Sequence, residues 1–108
     1  RPIIAVTGDG GFAQYLAEVT TAVKHGMNIT HVLLNNGQLG KISKEQRAGE
    51  WDVWETSLHN PDFSQYAELC GARGIRVTGA AALPGALAEA LAHAGPAMVE
   101  VMTDPELI

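Results

Sequence analysis

A single α/β domain built on a parallel sheet is predicted by three features of the sequence. The continuous apolar run Ile3-Ile4-Ala5-Val6 reads as a strand covered on both faces, and Ala97 to Met102 reads as another strand. Between them lie stretches whose apolar residues recur every three to four positions, the spacing of amphipathic helices. The resulting order, strand, helix, strand, loop, helix, strand, helix, strand, calls for right-handed crossovers between parallel strands.

The elements follow in turn. Ile3 to Val6 is the first strand. Phe12, Tyr15, Leu16, Val19, Ala22 and Val23 then predict one helix of about four turns, stopping near Gly26, with Lys24 and His25 suited to the negative end of its dipole. A second strand runs from Thr30 to Asn35 around Val32-Leu33-Leu34 and ends at Asn35-Asn36-Gly37. Residues 38 to 59 are least regular: Ile42 to Ala48 suits a short helix, and Trp51 and Trp54 lie in a polar loop, where they would cover the loop or meet another subunit. Asn60-Pro61-Asp62 reads as a helix start with Asn60 as N-cap, and Phe63, Tyr66, Ala67 and Cys70 mark the buried face before Gly71. Ile75-Arg76-Val77 is a third strand, an alanine-rich helix runs from Leu83 to Ala94, and Gly95-Pro96 precedes the fourth strand.

Composition limits the function classes. The chain has 108 residues, is 46% hydrophobic and 18% charged, and carries a net charge of -5, as expected of one globular domain, 1-108. Without a run of Lys or Arg, nucleic acid and anionic membrane surfaces are poor partners. Cys70 is the only cysteine, which excludes an internal disulfide or a CxxC metal site and suits a cytoplasmic setting. It sits on an apolar helix face, where a buried, inert thiol is expected. The histidines at 25, 31, 59 and 93 lack the spacing of a metal site. No apolar run is long enough to span a bilayer, and the start at Arg1, immediately before a strand, suggests a processed product or a piece of a longer protein.

The turn Thr7-Gly8-Asp9-Gly10-Gly11-Phe12 joins the first strand to a helix. Glycines let backbone approach a ligand closely, and free N-H groups at a helix start favour anions. Asp9 would repel a phosphate unless a cation lay between them. Asn36 lies one βαβ unit later, also just past the carboxyl end of a strand, so both side chains would reach one sheet edge. A carboxylate oxygen, an amide oxygen and a nearby carbonyl are hard ligands of the kind Mg²⁺ takes together with phosphate oxygens and water. Read alone, Asp9 could be a turn residue or cap, and Asn35-Asn36-Gly37 a tight turn.

Gly8-Asp9-Gly10 followed at this interval by Asn35-Asn36 resembles the cofactor-binding motif in the C-terminal domain of thiamine diphosphate-dependent enzymes. Leu39-Gly40, Asn60-Pro61-Asp62-Phe63, Gly74 to Val77 and Gly95-Pro96 extend the similarity across nearly the whole chain, in the manner of the pyruvate oxidase and acetolactate synthase branch. The resemblance implies a three-layer α/β/α, Rossmann-like domain truncated at its N-terminal side. It also implies that Asp9, Asn36 and the main-chain carbonyl of Gln38 bind Mg²⁺. Gly8, Gly10 and Gly11 would line the diphosphate, Gly10 and Gly11 through their N-H groups, while Asn35 fixes the turn.

The implied parent decarboxylates a 2-oxo acid, pyruvate by expectation, as a pyruvate oxidase or quinone-linked pyruvate dehydrogenase. An acetolactate synthase-like carboligase is the alternative, and a noncatalytic α/β module or another Mg²⁺-dependent phosphate-binding enzyme are the rivals. Any FAD would be bound outside this chain. The family's activating glutamate belongs to another domain, so the fragment is expected to be inactive alone, and its uncovered strands to meet other domains or to self-associate. Glu45, in Lys41 to Gln46, falls in the region that lines the substrate side in related enzymes, although a solvated helix face explains these charges as well. Lys41 stands where pyruvate oxidases often carry an aromatic residue, a departure that weighs against a flavin-linked oxidase.

Overall fold

The computed structural model describes residues 1–107. Four parallel strands, β1 (Ile3–Gly8), β2 (Ile29–Asn35), β3 (Arg73–Val77) and β4 (Ala97–Met102), form one sheet in the order β1-β2-β4-β3. The helices are α1 (Asp9–Ala13), α2 (Glu18–Lys24), α3 (Gly40–Ala48), α4 (Phe63–Leu69) and α5 (Leu83–Ala92). Chain direction across the sheet reverses between β3 and β4. Right-handed crossovers therefore place α5 on the face opposite α1, α2 and α4.

Two apolar clusters show the resulting layers. On one face Leu33 and Met98 pack against Phe12, Val19, Phe63 and Ala67; on the other Val77, Ala97 and Val99 pack against Ala86 and Ala90. The α/β/α arrangement expected from sequence is present, with the second outer layer reduced to α5. In register, Val6 pairs with Val32, Val32 with Val99 and Ile75 with Val99, so the four carboxyl ends reach one edge of the sheet.

Three expectations about the strands and helices need correction. The first is that β1 is covered on both faces: it is an edge strand whose Ile4 and Val6 are 56% and 65% exposed, because α5 shields only the β3 and β4 side, and whose Ile3, on the other face, is 58% exposed. The second is the single helix from Phe12 to Val23, which is broken between α1 and α2. There the backbone makes tighter bonds, Tyr15 N-H to Phe12, Glu18 N-H to Tyr15 and Thr20 N-H to Ala17, while the Tyr66 hydroxyl donates to the Leu16 carbonyl at 2.9 Å. That competition takes Leu16 out of a regular i to i+4 ladder. The third concerns the start of α4, where Asp62 rather than Asn60 is the N-cap and accepts the Gln65 N-H at 3.0 Å.

Residues 38 to 58 leave the body of the domain as a closed excursion. Gln38 and Ser57 form an antiparallel bridge, flanked by Leu39 N-H to Thr56 O and Leu58 N-H to Gly37 O, both 2.8 Å. Inside it, the Gln46 amide holds both the carbonyl and the N-H of Trp54. Trp51 and Trp54 nevertheless remain 72% exposed. Cys70 is half-buried against the first cluster rather than enclosed, since the last turn of α4 lies at the rim of that cluster.

The backbones of β3 and α4 approach closely at Gly74, leaving no room for a side chain. A Cβ added there would lie 1.9 Å from the Ser64 carbonyl oxygen, a backbone atom that cannot rotate away. Gly74→Ala should therefore destabilise the fold by about 3 kcal/mol. Thermal unfolding followed by circular dichroism should show Tm lowered by at least about 10 °C. An unchanged Tm would show that α4 and β3 are not packed this closely.

Candidate functional site

The carboxyl edge of the sheet carries a cavity of about 770 Å³, lined by Gly8, Asp9, Gly10, Asn36, Gln38 and Lys41 among others. Asp9 follows β1 directly as the first residue of α1, and Asn36 follows β2. Because Gly8 is in register with Leu34, the parallel pairing itself brings these two turns together. Gly11 lines the cavity as well, while Gly8 and Gly11 could each take a Cβ without meeting another atom within 4 Å. Side chains at either position would occupy open space beside Asp9.

Asp9 is 2% exposed, unusually enclosed for a carboxylate. Its Oδ2 accepts the Gly37 N-H at 2.9 Å and the Asn60 Nδ2-H at 2.7 Å. Its Oδ1 has no hydrogen-bond partner, and no Lys, Arg or His forms an ion pair with it, among the described residues. Burial of a charge on such terms is costly unless a cation completes the site.

Asn36 is half-buried, and its Oδ1 accepts the Gln38 N-H at 3.1 Å in a turn that also holds Gly37 at a φ of 69°. A second lone pair on that oxygen is free to accept or ligate. The Gln38 carbonyl receives no hydrogen bond among the described residues. Its side chain is held by Ser43, whose hydroxyl donates to Gln38 Oε1 at 2.9 Å and lies 2.7 Å from Thr56 Oγ1. Ser43 and Thr56 are both buried, so they tie the excursion to the cavity's rim. Among the described residues no group of three or more His, Cys, Asp or Glu side chains is gathered. A cation here would rely on amide and carbonyl oxygens beside one carboxylate, a hard set suited to Mg²⁺ or Ca²⁺.

Asn35 does not face the cavity. Its Oδ1 accepts from Gly37 N-H at 3.1 Å and from Asn60 Nδ2 at 3.2 Å, and its Nδ2 donates to Glu100 Oε2 at 2.8 Å. Glu100, fully buried, also accepts the Ser64 N-H at 3.2 Å and lies 3.8 Å from Arg76 Nε. Arg76 in turn pairs with Asp62 at 3.2 Å. The hydrogen bonds from the Ser64 hydroxyl and the Gln65 N-H, with Arg76 nearby, hold Asp62 below the usual carboxylate range. On the same face of the sheet, burial lowers the pKa of His31, whose Nδ1 has no partner and whose ring meets Phe12 edge-on at 5.5 Å.

Of the residues singled out from sequence, Gly8, Asp9, Gly10, Gly11, Asn36 and Gln38 converge on the cavity. Glu45 does not: it is exposed on α3, whose contribution to the lining comes from its first turn, at Gly40, Lys41 and Ile42. Asn60 and Glu100 were missed. The clue to Asn60 was Asp62-x-x-Gln65, a better capping pattern than one starting two residues earlier. For Glu100 it was a lone carboxylate inside an apolar strand.

The chain matches the family of thiamine pyrophosphate enzymes, C-terminal TPP binding domain, over residues 1–101. It is 45% identical over 106 residues to YdaP of Bacillus subtilis, provisionally named a thiamine pyrophosphate-containing protein, covering 98% of this chain and 18% of that protein. With the catabolic acetolactate synthase of Raoultella terrigena it shares 33% identity over 104 residues, 96% of this chain and 19% of the synthase. Its fold superposes with a TM-score of 0.88 and 27% identity on a thiamine diphosphate-dependent 4-hydroxybenzoylformate decarboxylase from Rhodococcus jostii RHA1, covering 96% of this chain and 20% of that one. The chain thus spans about a fifth of the length of these relatives. With its glycine turn and Asn pair at the carboxyl edge of a parallel sheet, it belongs to the thiamine pyrophosphate enzymes, as their C-terminal, cofactor-binding domain.

Proposed function

We propose that the chain, 1-108, forms part of one cofactor-binding domain that holds the diphosphate of thiamine diphosphate through Mg²⁺. Asp9, Asn36 and the Gln38 carbonyl are the protein ligands. The observation that carries this reading is the enclosed Asp9 carboxylate, with Oδ2 committed to two N-H donors and Oδ1 left without a partner beside the cavity. Asn36 Oδ1 and the Gln38 carbonyl supply neutral oxygens at the same rim. N-H groups of Gly10 and Gly11, on the backbone beside Asp9, serve the phosphate oxygens.

In the parent protein the reaction is decarboxylation of a 2-oxo acid, with pyruvate as the proposed substrate. Bound thiamine diphosphate supplies the electron sink for the bond broken when carbon dioxide leaves. This chain's residues anchor one end of the cofactor and fix its orientation, and the remaining domains complete the reactive end. Between the two fates of the carbon fragment, acetolactate synthases among the relatives favour carboligation over the oxidase reading. Lys41 at the cavity wall, in place of an aromatic residue, supports the same choice.

Titration calorimetry with thiamine diphosphate should give binding that requires Mg²⁺. Asp9→Ala and Asn36→Ala should each weaken it by at least about tenfold, the effect expected for loss of an oriented hard ligand. Metal-independent binding, or variants that bind as well as wild type, would contradict the bridge. Pyruvate added to the same samples should release no carbon dioxide, since the chain holds only one end of the cofactor; turnover would contradict that division of labour.

The exposed apolar surface is proposed to meet other parts of the parent or, in the isolated chain, a second copy. Ile4, Val6 and Leu34 are exposed on the sheet face that α5 leaves open. Such a surface favours association in water. Light scattering between micromolar and millimolar chain should report a rising mean mass, and a constant monomeric mass would refute self-association.

A further inference from the structure

Between the cavity and the centre of the sheet runs a chain of side-chain hydrogen bonds with a carboxylate at each end. Glu100 lies at one end, Asp9 at the other, and the amides of Asn35 and Asn60 between them. A carboxylate only accepts, whereas an amide donates from one side and accepts from the other. That difference gives the chain a direction. Glu100 is fully buried, and its Oε2 takes the Nδ2-H of Asn35. Asn35 must then turn Oδ1 the other way, toward Gly37 N-H and Asn60 Nδ2. Asn60 in turn presents Nδ2 to both Asn35 Oδ1 and Asp9 Oδ2.

The contact at Asp9 is the shortest of the three, 2.7 Å, and together with the Gly37 N-H it fixes which carboxylate oxygen is occupied. We infer that Asn60 and Glu100 are positioning residues: through this directed chain they hold Asp9 Oδ1 toward the cavity, so that a divalent cation meets a preoriented ligand. Neither residue lines the cavity. The inference rests on the metal-bridge reading above and extends it to two residues that act at a distance.

Glu100→Gln tests the direction while preserving shape. A glutamine places an NH₂ group against either Asn35 Nδ2 or Ser64 N-H, donor against donor. With Ser64 N-H and Arg76 Nε both beside Oε1, the NH₂ is driven to the Asn35 side, and relief there requires the Asn35 amide to flip, which then opposes its NH₂ to Gly37 N-H and to Asn60. The mismatch travels along the chain to Asp9. Asn60→Ala removes the last link directly.

The experiment titrates Mn²⁺, a hard ion in place of Mg²⁺, into the chain with thiamine diphosphate, reading free Mn²⁺ by electron paramagnetic resonance. Wild type, Asp9→Ala, Glu100→Gln, Asn60→Ala and the double variant are compared. Glu100→Gln and Asn60→Ala should each weaken Mn²⁺ binding by roughly 10- to 100-fold, the range for residues that orient a ligand without touching the metal. The double variant should be weaker than Asn60→Ala by no more than about twofold, because the chain is already cut. Independent structural damage would instead multiply the two effects, and that result would overturn the inference. So would a lowered Tm with Mn²⁺ affinity unchanged. A wild type that binds no Mn²⁺, or binds it as well with Asp9→Ala, would overturn the bridge and the inference together. Sensitivity to Asp9→Ala without sensitivity to Glu100→Gln would overturn the inference alone.

Discussion

The arrangement of this domain turns on one enclosed carboxylate that has no ion-pair partner among the described residues. Asp9 is almost wholly removed from solvent, and its donors are neutral: a backbone N-H and an amide. Two hydrogen bonds offset part of the cost of burying the charge. The remainder, of the order of several kcal/mol for an ion without a counter-ion, is the physical reason to place a cation beside it. Three parts of the structure converge there: the β1 turn brings Asp9, the β2 turn brings Asn36 and Gly37, and the loop before α4 brings Asn60.

Glu100 shows how the body of the fold supports that edge. A buried carboxylate on the central strand β4 is tied to the start of α4 through Ser64 and approached by Arg76 of β3. Here the cation is supplied by the protein. Two enclosed acids in one small domain therefore have opposite solutions. One is neutralised and serves as an internal anchor, while the other faces a cavity with a free oxygen. Their connection through Asn35 and Asn60 makes the sheet interior part of the site.

Much of this was legible in the residues. Strand β4 was read with its observed boundaries, and β2 to within a residue, since short, mainly apolar stretches bounded by turn residues identify strands well. The pairing of Asp9 with Asn36 follows from parallel strands ending at one edge, and the spacing of one βαβ unit made it readable. The break between α1 and α2 was not readable, because it depends on the Tyr66 hydroxyl reaching Leu16 from fifty residues away. Asn60 was misassigned for a related reason: cap and site residues share one chemistry, and only the tertiary position of Asp9 separates them. Exposure of β1 was hidden because apolarity reports the need for cover and says nothing about where the cover lies.

The central claim, that Asp9 awaits a cation, is tested most directly by thermal unfolding of wild type and Asp9→Asn, each in chelator and in Mg²⁺ with thiamine diphosphate. In chelator the amide, free of an uncompensated charge, should make the variant at least as stable as wild type. With metal and cofactor at about a hundredfold above Kd, wild type should gain about 2.7 kcal/mol and its Tm should rise accordingly, while Asp9→Asn gains little. Equal gains in both proteins would contradict the account.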